Sequence, residues 1–302
     1  MYDVVVYLSS LKDQRPSRKS EVLLAFAEGA RRHGANVHVE TEYIHRPARL
    51  AVILGWPSPE QRGANIQLRQ TVVQEQKRLN CHTMAIDAGC FKFHDSDSRY
   101  LRYSINGVFY DRSEYANKNS GPERWQVISK QLNLKIKPWQ ETTNSTQHIL
   151  FLLQRDGGWS MKGMNPVKWT REKLKLLKSL TDLQIVLRPH PGKIADVSEF
   201  ADRQVRISDS KNISLIDDLH NARLASVFNS SSGVAAILHG VPLFVDDQSS
   251  VAWSVSNHNI IDFKHPKFPD RTQWIQDLAA AHWSDEESRQ GLVYQKFLPL
   301  LT

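Results

Sequence analysis

Short apolar runs alternate along the chain with stretches whose apolar residues recur every three or four positions, the pattern of an α/β fold. DVVVYL (3–8) predicts a first strand. RKSEVLLAFAEGARRH (18–33) predicts a helix with Val22, Leu23, Phe26 and Ala30 on one face, stopped by Gly34. Strands are expected at 36–40, at RLAVILG (49–55) and at HTMAID (82–87), with a polar helix over 64–79. Residues 90–139 interleave aromatic and basic side chains around an Asn106–Gly107 turn signal and read as a hairpin insertion. TTNST (142–146) reads as a linker.

A second series of βα units follows. HILFLLQ (148–154) predicts a buried strand, and a Gly-rich loop leads to a helix over 169–181. LQIVLRPHPG (183–192) is a strand running into a stiff loop. A helix near 194–203, a strand at 204–208 and a helix over 214–222 capped by Ser214 come next. They precede a strand at 224–229, a helix over 230–240 closed by Gly240, and a strand at 241–247. Amphipathic helices over 272–283 and 286–301 close the sequence. The expected organisation is two α/β domains, 1–145 and 146–302, with ligands held beyond the carboxyl ends of the strands.

At 302 residues, 40% hydrophobic and 24% charged, the chain has the apolar content for two cores and is neither disordered nor collagen-like. Two cysteines, Cys81 and Cys90, are too few for a disulfide framework or a four-cysteine zinc site. No apolar run reaches membrane-span length, and the N-terminus reads as a strand and not as a signal peptide. The expectation is a cytoplasmic protein without a membrane span. Residues 1–145 hold 21 Lys/Arg against 15 Asp/Glu, a net +6, while 146–302 carry +1. A basic first half fits a polyanionic partner or simply a solvated surface.

Three groups of residues carry candidate chemistry. Arg188, His190 and Lys193 stand in RPHPGK at a predicted strand exit, where converging cations suit a diphosphate. Asn229 and Ser230, Ser231, Ser232 and Gly233 lie between a strand and a helix, either as an anion-binding helix start or as ordinary capping. Asp87 ends a strand and is the best-placed carboxylate for a general base, with His94 and Asp111 as lesser candidates. Asp95-Ser96-Asp97 matches a metal-binding DxD by chance spacing, and Asp217, Asp218, Asp246 and Asp247 read as solvated charges. Trp56, Arg99, Arg102, Tyr103, Arg112, Arg124 and Trp125 are the expected acceptor contacts, cations for phosphates and aromatics for stacking, unless the rings simply pack inward.

RPHPGK, followed by LASVFNSSSGVAAILHGVPLFV, resembles the donor domain of GT-B glycosyltransferases, including capsule-type sugar transferases and short phage DNA glycosyltransferases. The likeness covers about 148–300 and departs at Ala235, where many such enzymes place a ribose-binding Glu. It implies two Rossmann-like domains facing each other across a cleft. It also implies a nucleotide-sugar co-substrate, UDP-linked, with no other cofactor and no metal. The leading expectation is transfer to a hydroxymethylated base, 5-hydroxymethylcytosine in phage DNA, in the host cytoplasm. A capsule or lipopolysaccharide acceptor is the alternative. A nucleotide-sugar 2-epimerase and a non-catalytic polyanion binder are further ones.

Overall fold

The structure is a computed structural model and describes residues 1–91, 99–140, 147–155, 159–192 and 196–301. Its strands are β1 (Tyr2–Tyr7), β2 (Val37–Glu40), β3 (Ala48–Leu54), β4 (His82–Asp87), β5 (Tyr100–Ile105), β6 (His148–Leu152), β7 (Gln184–Arg188), β8 (Val205–Ile207), β9 (Ala222–Val227), β10 (Leu243–Val245) and β11 (His282–Ser284). Its helices are α1 (Arg18–Arg32), α2 (Ala64–Arg78), α3 (Glu123–Leu132), α4 (Pro166–Lys178), α5 (Leu215–Leu219), α6 (Gly233–Leu238), α7 (Thr272–Ala280), α8 (Asp285–Arg289) and α9 (Leu292–Phe297). No helix among the described residues is long and apolar enough to cross a membrane.

The chain folds as two units. The first comprises Met1–Gly89, Asp97–Arg124 and Gln276–Thr302, the second Cys90–Ser96 and Trp125–Ile275. The expected boundary at 145 therefore misses that 276–302 return to the first unit.

Unit 1 holds a six-stranded sheet in the order β11-β5-β4-β3-β1-β2. β2, β1, β3 and β4 run parallel, β5 pairs antiparallel with β4, and β11 pairs antiparallel with β5 and so runs the same way as β1–β4. Alternate residues of β1 serve two cores, because strand side chains point to opposite faces. Val4 and Val6 join Phe26 of α1 and a C-terminal group of Trp283, Tyr294 and Phe297. Val5 and Tyr7 join Ile53 of β3 and Leu68 and Val72 of α2. A Ser17/Ser20 capping box sets the start of α1.

Unit 2 holds a five-stranded, wholly parallel sheet in the order β10-β9-β6-β7-β8. This is the order of a Rossmann-type sheet, with its reversal between β6 and β9. Strands buried on both faces read as unbroken apolar runs, as HILFL in β6 does. Phe151, Leu187 and Phe244 pack with Trp169, Leu174 and Leu177 of α4. α4 starts at Pro166, three residues ahead of the expected start. Asn165 Oδ1 accepts the free N–H groups of Val167 and Lys168 at 2.9 and 3.0 Å, and proline suits a first helical position.

Three further expectations change. Residues 90–139 are not an insertion: β5 lies in the sheet between β4 and β11. The helix near 194–203 is one 3₁₀ turn at Ser198–Phe200 within its described part. The closing helices are broken by β11 and again at Gly291, whose φ of +89° suits a residue without Cβ. The charge balance changes with the boundary. Unit 1 holds 19 Lys/Arg against 17 Asp/Glu, and unit 2 holds 20 against 15. The basic excess is on unit 2.

Candidate functional site

In unit 2 all five strands deliver their carboxyl ends to one edge of the sheet. β6 runs out into Leu153, Gln154 and Arg155, and β9 into Phe228 and Asn229. Two amides cross the reversal point: Gln154 Nε2 donates to Asn229 Oδ1 at 2.8 Å, and Asn229 N–H donates to Gln154 Oε1 at 3.3 Å. Asn229 Nδ2 donates to Ser160 O and Ser249 Oγ, both at 2.8 Å. Ser249 N–H and Lys162 Nζ in turn donate to Asp247 Oδ1, at 2.9 and 2.8 Å. The result is a saturated polar floor under the β6, β9 and β10 exits.

Beside it lies the RPHPGK loop, and its residues separate. Arg188 is buried and turned inward. Its Nη1 donates to Asp218 Oδ2 at 2.5 Å and to Ile213 O at 2.9 Å, and Nη2 reaches Ser210 O at 3.4 Å. Ser208 Oγ donates to the same Asp218 oxygen at 2.5 Å. The guanidinium is neutralised inside the fold, so the expected diphosphate contact through Arg188 is corrected to a structural ion pair. Asp218 is likewise a buried partner and not a solvated charge. Asp246 and Asp247 are corrected too: Asp246 accepts from Trp169 Nε1 at 2.5 Å and from Lys173.

His190 keeps its ring at the edge. Gly192 N–H donates to Nδ1 at 2.9 Å, which leaves the proton of the neutral ring on Nε2 as an outward donor. Burial, then the charge of Arg155, push the His190 pKa below its ordinary value. The ring is therefore neutral at pH 7. A Cβ built on Gly192 lies 3.5 Å from Arg155 Nη2 and 3.1 Å from His190 Cε1, so Arg155 and His190 converge on this loop. Arg155 is exposed. Sequence reasoning passed over it because it opens a Gly-rich loop with no motif of its own. Lys193 lies outside the described residues.

The serine turn is shorter than expected. α6 has six residues and starts at Gly233, and Ser232 is already in the helical region (φ −61°, ψ −20°) with no capping bond. N–H groups of Gly233 and Val234 donate to Ser230 O and Ser231 O. Ser230 Oγ and Ser232 Oγ lie 2.7 Å apart. The turn presents hydroxyls where a helix dipole was expected. Ala235 is fully buried in α6 and cannot reach a ligand. Gly240 closes the turn after α6 with φ +75°, and a Cβ there would fall 1.9 Å from Pro138 O.

In unit 1 Asp87 ends β4, and Arg102 Nη2 donates to its Oδ2 at 3.1 Å. Asp111 pairs with Arg112, also at 3.1 Å. His94 lies outside the described residues, as does Asp95-Ser96-Asp97. The expected acceptor residues do not form an open aromatic–basic face. Tyr103 is fully buried against Phe26, at 6.4 Å between ring centroids. Arg102 also lies 5.7 Å over the Tyr115 ring. Arg124 pairs with Glu287 and stacks 4.1 Å over Trp283. In unit 2 Trp125 packs on Phe91 at 5.9 Å. Trp56 is half-buried against the α2 core. Arg99 and Arg112 remain exposed.

No protein-family model matches the sequence, and no curated protein matches it. Solved structures that resemble the fold include two sugar transferases. One is KpsC of Thermosulfurimonas dismutans, described as a β-Kdo 2,4 transferase: TM-score 0.58, 15% identity, covering 93% of this chain and 90% of that one. The other is KpsC of the same organism as a β-Kdo 2,7 transferase: TM-score 0.54, 16% identity, covering 97% and 99%. The chain thus has the two-sheet α/β fold of these sugar transferases, the fold class expected from its sequence.

Proposed function

We propose that this protein is a glycosyltransferase that moves a sugar from a nucleotide-sugar donor to a hydroxyl of an acidic glycan, of capsule or lipopolysaccharide type. The observation that carries this reading is the convergence of Arg155 and His190 at the exits of β6 and β7, next to the serine turn after β9. A cation, a neutral imidazole N–H and hydroxyls together suit a diphosphate leaving group. The near end-to-end fold likeness to two sugar transferases supports it. In the reaction the bond from the sugar's anomeric carbon to the phosphate oxygen breaks, and that carbon bonds to the acceptor oxygen. Asp87, held by Arg102, takes the acceptor proton.

The DNA acceptor loses its motivation. Of its aromatic residues Tyr103 is fully buried, Trp125 packs on Phe91 and Trp56 is half-buried, its Arg102 and Arg124 are ion-paired, and the basic excess is not on unit 1. The test is incubation of the protein with UDP-, GDP- and CMP-sugars, each with acidic glycans, with hydroxymethylated DNA, or with no acceptor. Mass spectrometry then reads both products. Glycan-dependent release of the nucleotide, with a mass gain on the glycan, is expected. Turnover without an acceptor would show an epimerase, and a mass gain on DNA would restore the first expectation.

A further inference from the structure

In unit 1 the sheet order reverses between β1 and β3: the chain leaves β1 for β2 on one side and returns to β3 on the other. Open α/β sheets hold ligands in the crevice such a reversal creates at the carboxyl ends of the strands. Two residues of α2, four apart and therefore on one helix face, lie over this point. Asn65 Nδ2 donates to Ser10 O, at the end of the turn that leaves β1, at 3.4 Å. Arg69 Nη1 donates to Leu54 O, the last residue of β3, at 2.9 Å, and to Gly55 O at 3.4 Å. Its Nε donates to Asn65 O at 3.3 Å.

Those bonds leave Nη2 without a protein acceptor among the described residues. Arg69 is half-buried, and burial pushes its pKa down with no neighbouring carboxylate to offset the shift. Arg46, Arg102, Arg124 and Arg188 each sit against a carboxylate, respectively Glu40, Asp87, Glu287 and Asp218. Arg69 has no such partner among the described residues. Holding a helix to the carbonyl oxygens of Leu54 and Gly55 needs only a neutral donor, which avoids the cost of desolvating a charge. A guanidinium is planar and stays charged, and it is suited to a carboxylate brought in by a ligand. Gly55 lies against the guanidinium: its φ is +71°, and a Cβ there would crowd Arg69 Nη1 at 3.3 Å.

We infer that Arg69 binds a carboxylate of the acceptor glycan at the β1–β3 reversal of unit 1. This rests on the transferase reading for the word acceptor, but not for the binding itself. A glycan is favoured over a DNA strand because one unpaired cation matches one sugar carboxylate. A DNA backbone needs a row of cations, and Arg102 and Arg124 are already ion-paired.

The test uses the full chain, a Kdo trisaccharide and its carboxyl-reduced counterpart. Binding is measured by calorimetry for the wild type, Arg69→Gln and Arg69→Lys, with thermal unfolding of each. The expected result is that the wild type prefers the acid form. Arg69→Gln should lose about 10- to 100-fold for the acid and nothing for the reduced form. Arg69→Lys, which keeps the charge but not the fork, should fall between them. An equal loss for both glycans, no loss for either, or a wild type indifferent to the carboxylate overturns the inference. So does Arg69-dependent binding of duplex DNA in place of the glycan. If the acid preference holds but no sugar is transferred, the transferase reading fails and the carboxylate site stands. If sugar is transferred with unchanged acceptor KM in Arg69→Gln, the site fails and the transferase reading stands.

Discussion

Arg188 looks like a ligand-binding residue and is expected to behave as a structural one. Its side chain is 10% exposed and that of Asp218 only 2%, and they meet at 2.5 Å. Replacing Arg188 with alanine leaves the buried Asp218 carboxylate with Ser208 as its one hydrogen-bond donor among the described residues and the more exposed Arg206, 3.9 Å from its Oδ1, as a looser cation. Removing one partner of a buried pair costs about 3–5 kcal/mol. For a unit of this size each kcal/mol moves Tm by about 2–4 °C, so a drop of roughly 6–20 °C is expected. Six of the eight tryptophans lie in unit 2, so fluorescence follows its melting with little signal from unit 1. Two units need not melt in one transition, so the fluorescence midpoint is compared with circular dichroism. The double variant Arg188→Met/Asp218→Leu removes both charges and should recover most of the loss, since apolar replacement of a whole buried pair is often neutral. An Arg188→Ala protein that melts like the wild type, yet no longer binds nucleotide sugar, would refute this reasoning and return the guanidinium to the donor site.

Other outcomes follow from the same geometry. His282 is fully buried, and desolvation, with lesser contributions from Arg102 and Arg124, pushes its pKa down to about 3. The unfolded chain protonates it below pH ~6.5, so stability falls with pH from there down to about 3, by about 2 kcal/mol at pH 5. A His282→Gln variant should show a flatter profile of denaturation midpoint against pH, and an unchanged slope would count against the assignment. Asp87→Asn should keep the fold and donor binding but lose about 10²–10⁴-fold in turnover, read as kcat with KM for the donor unchanged. Gly240→Ala should cost at least about 1–2 kcal/mol in urea unfolding, since it forces an L side chain into φ +75° against Pro138 O. His190→Ala should weaken nucleotide binding several-fold in calorimetry while leaving the melting temperature within a few degrees, because the ring's bond from Gly192 lies within its own loop.

The alternating strands and helices of both units were legible because parallel strands write themselves as apolar runs: HTMAID is β4 to the residue. β5 and β11 were not. Tyr100–Ile105 carries an arginine and two tyrosines, and only the partners it meets in the sheet reveal that Tyr100 and Tyr103 face inward. β11 is three residues long and follows a helix whose periodicity runs straight through it. In the site, position along the chain revealed which loops leave the strands but not where their charges go. Arg188 and Arg155 both stand near strand exits, yet Asp218, thirty residues away from Arg188, takes one of them inward. Arg69 was invisible for the converse reason. In a polar helix an arginine is unremarkable until its neighbours are seen to include no carboxylate.

The return of 276–302 to unit 1 has a consequence for synthesis. Translation runs from the N-terminus, so β1 to β5 emerge first and then wait while all of unit 2 is made. During that interval β5 is an unpaired sheet edge, and Val4, Val6 and Phe26 lack the Trp283, Tyr294 and Phe297 that later cover them. Unit 2, made of one nearly continuous segment, can complete its parallel sheet on the ribosome. Unit 1 can finish only once 276–302 have been made and have emerged. A chain that lacks 276–302 therefore carries one complete unit and one exposed apolar face, the form that chaperones and proteases recognise.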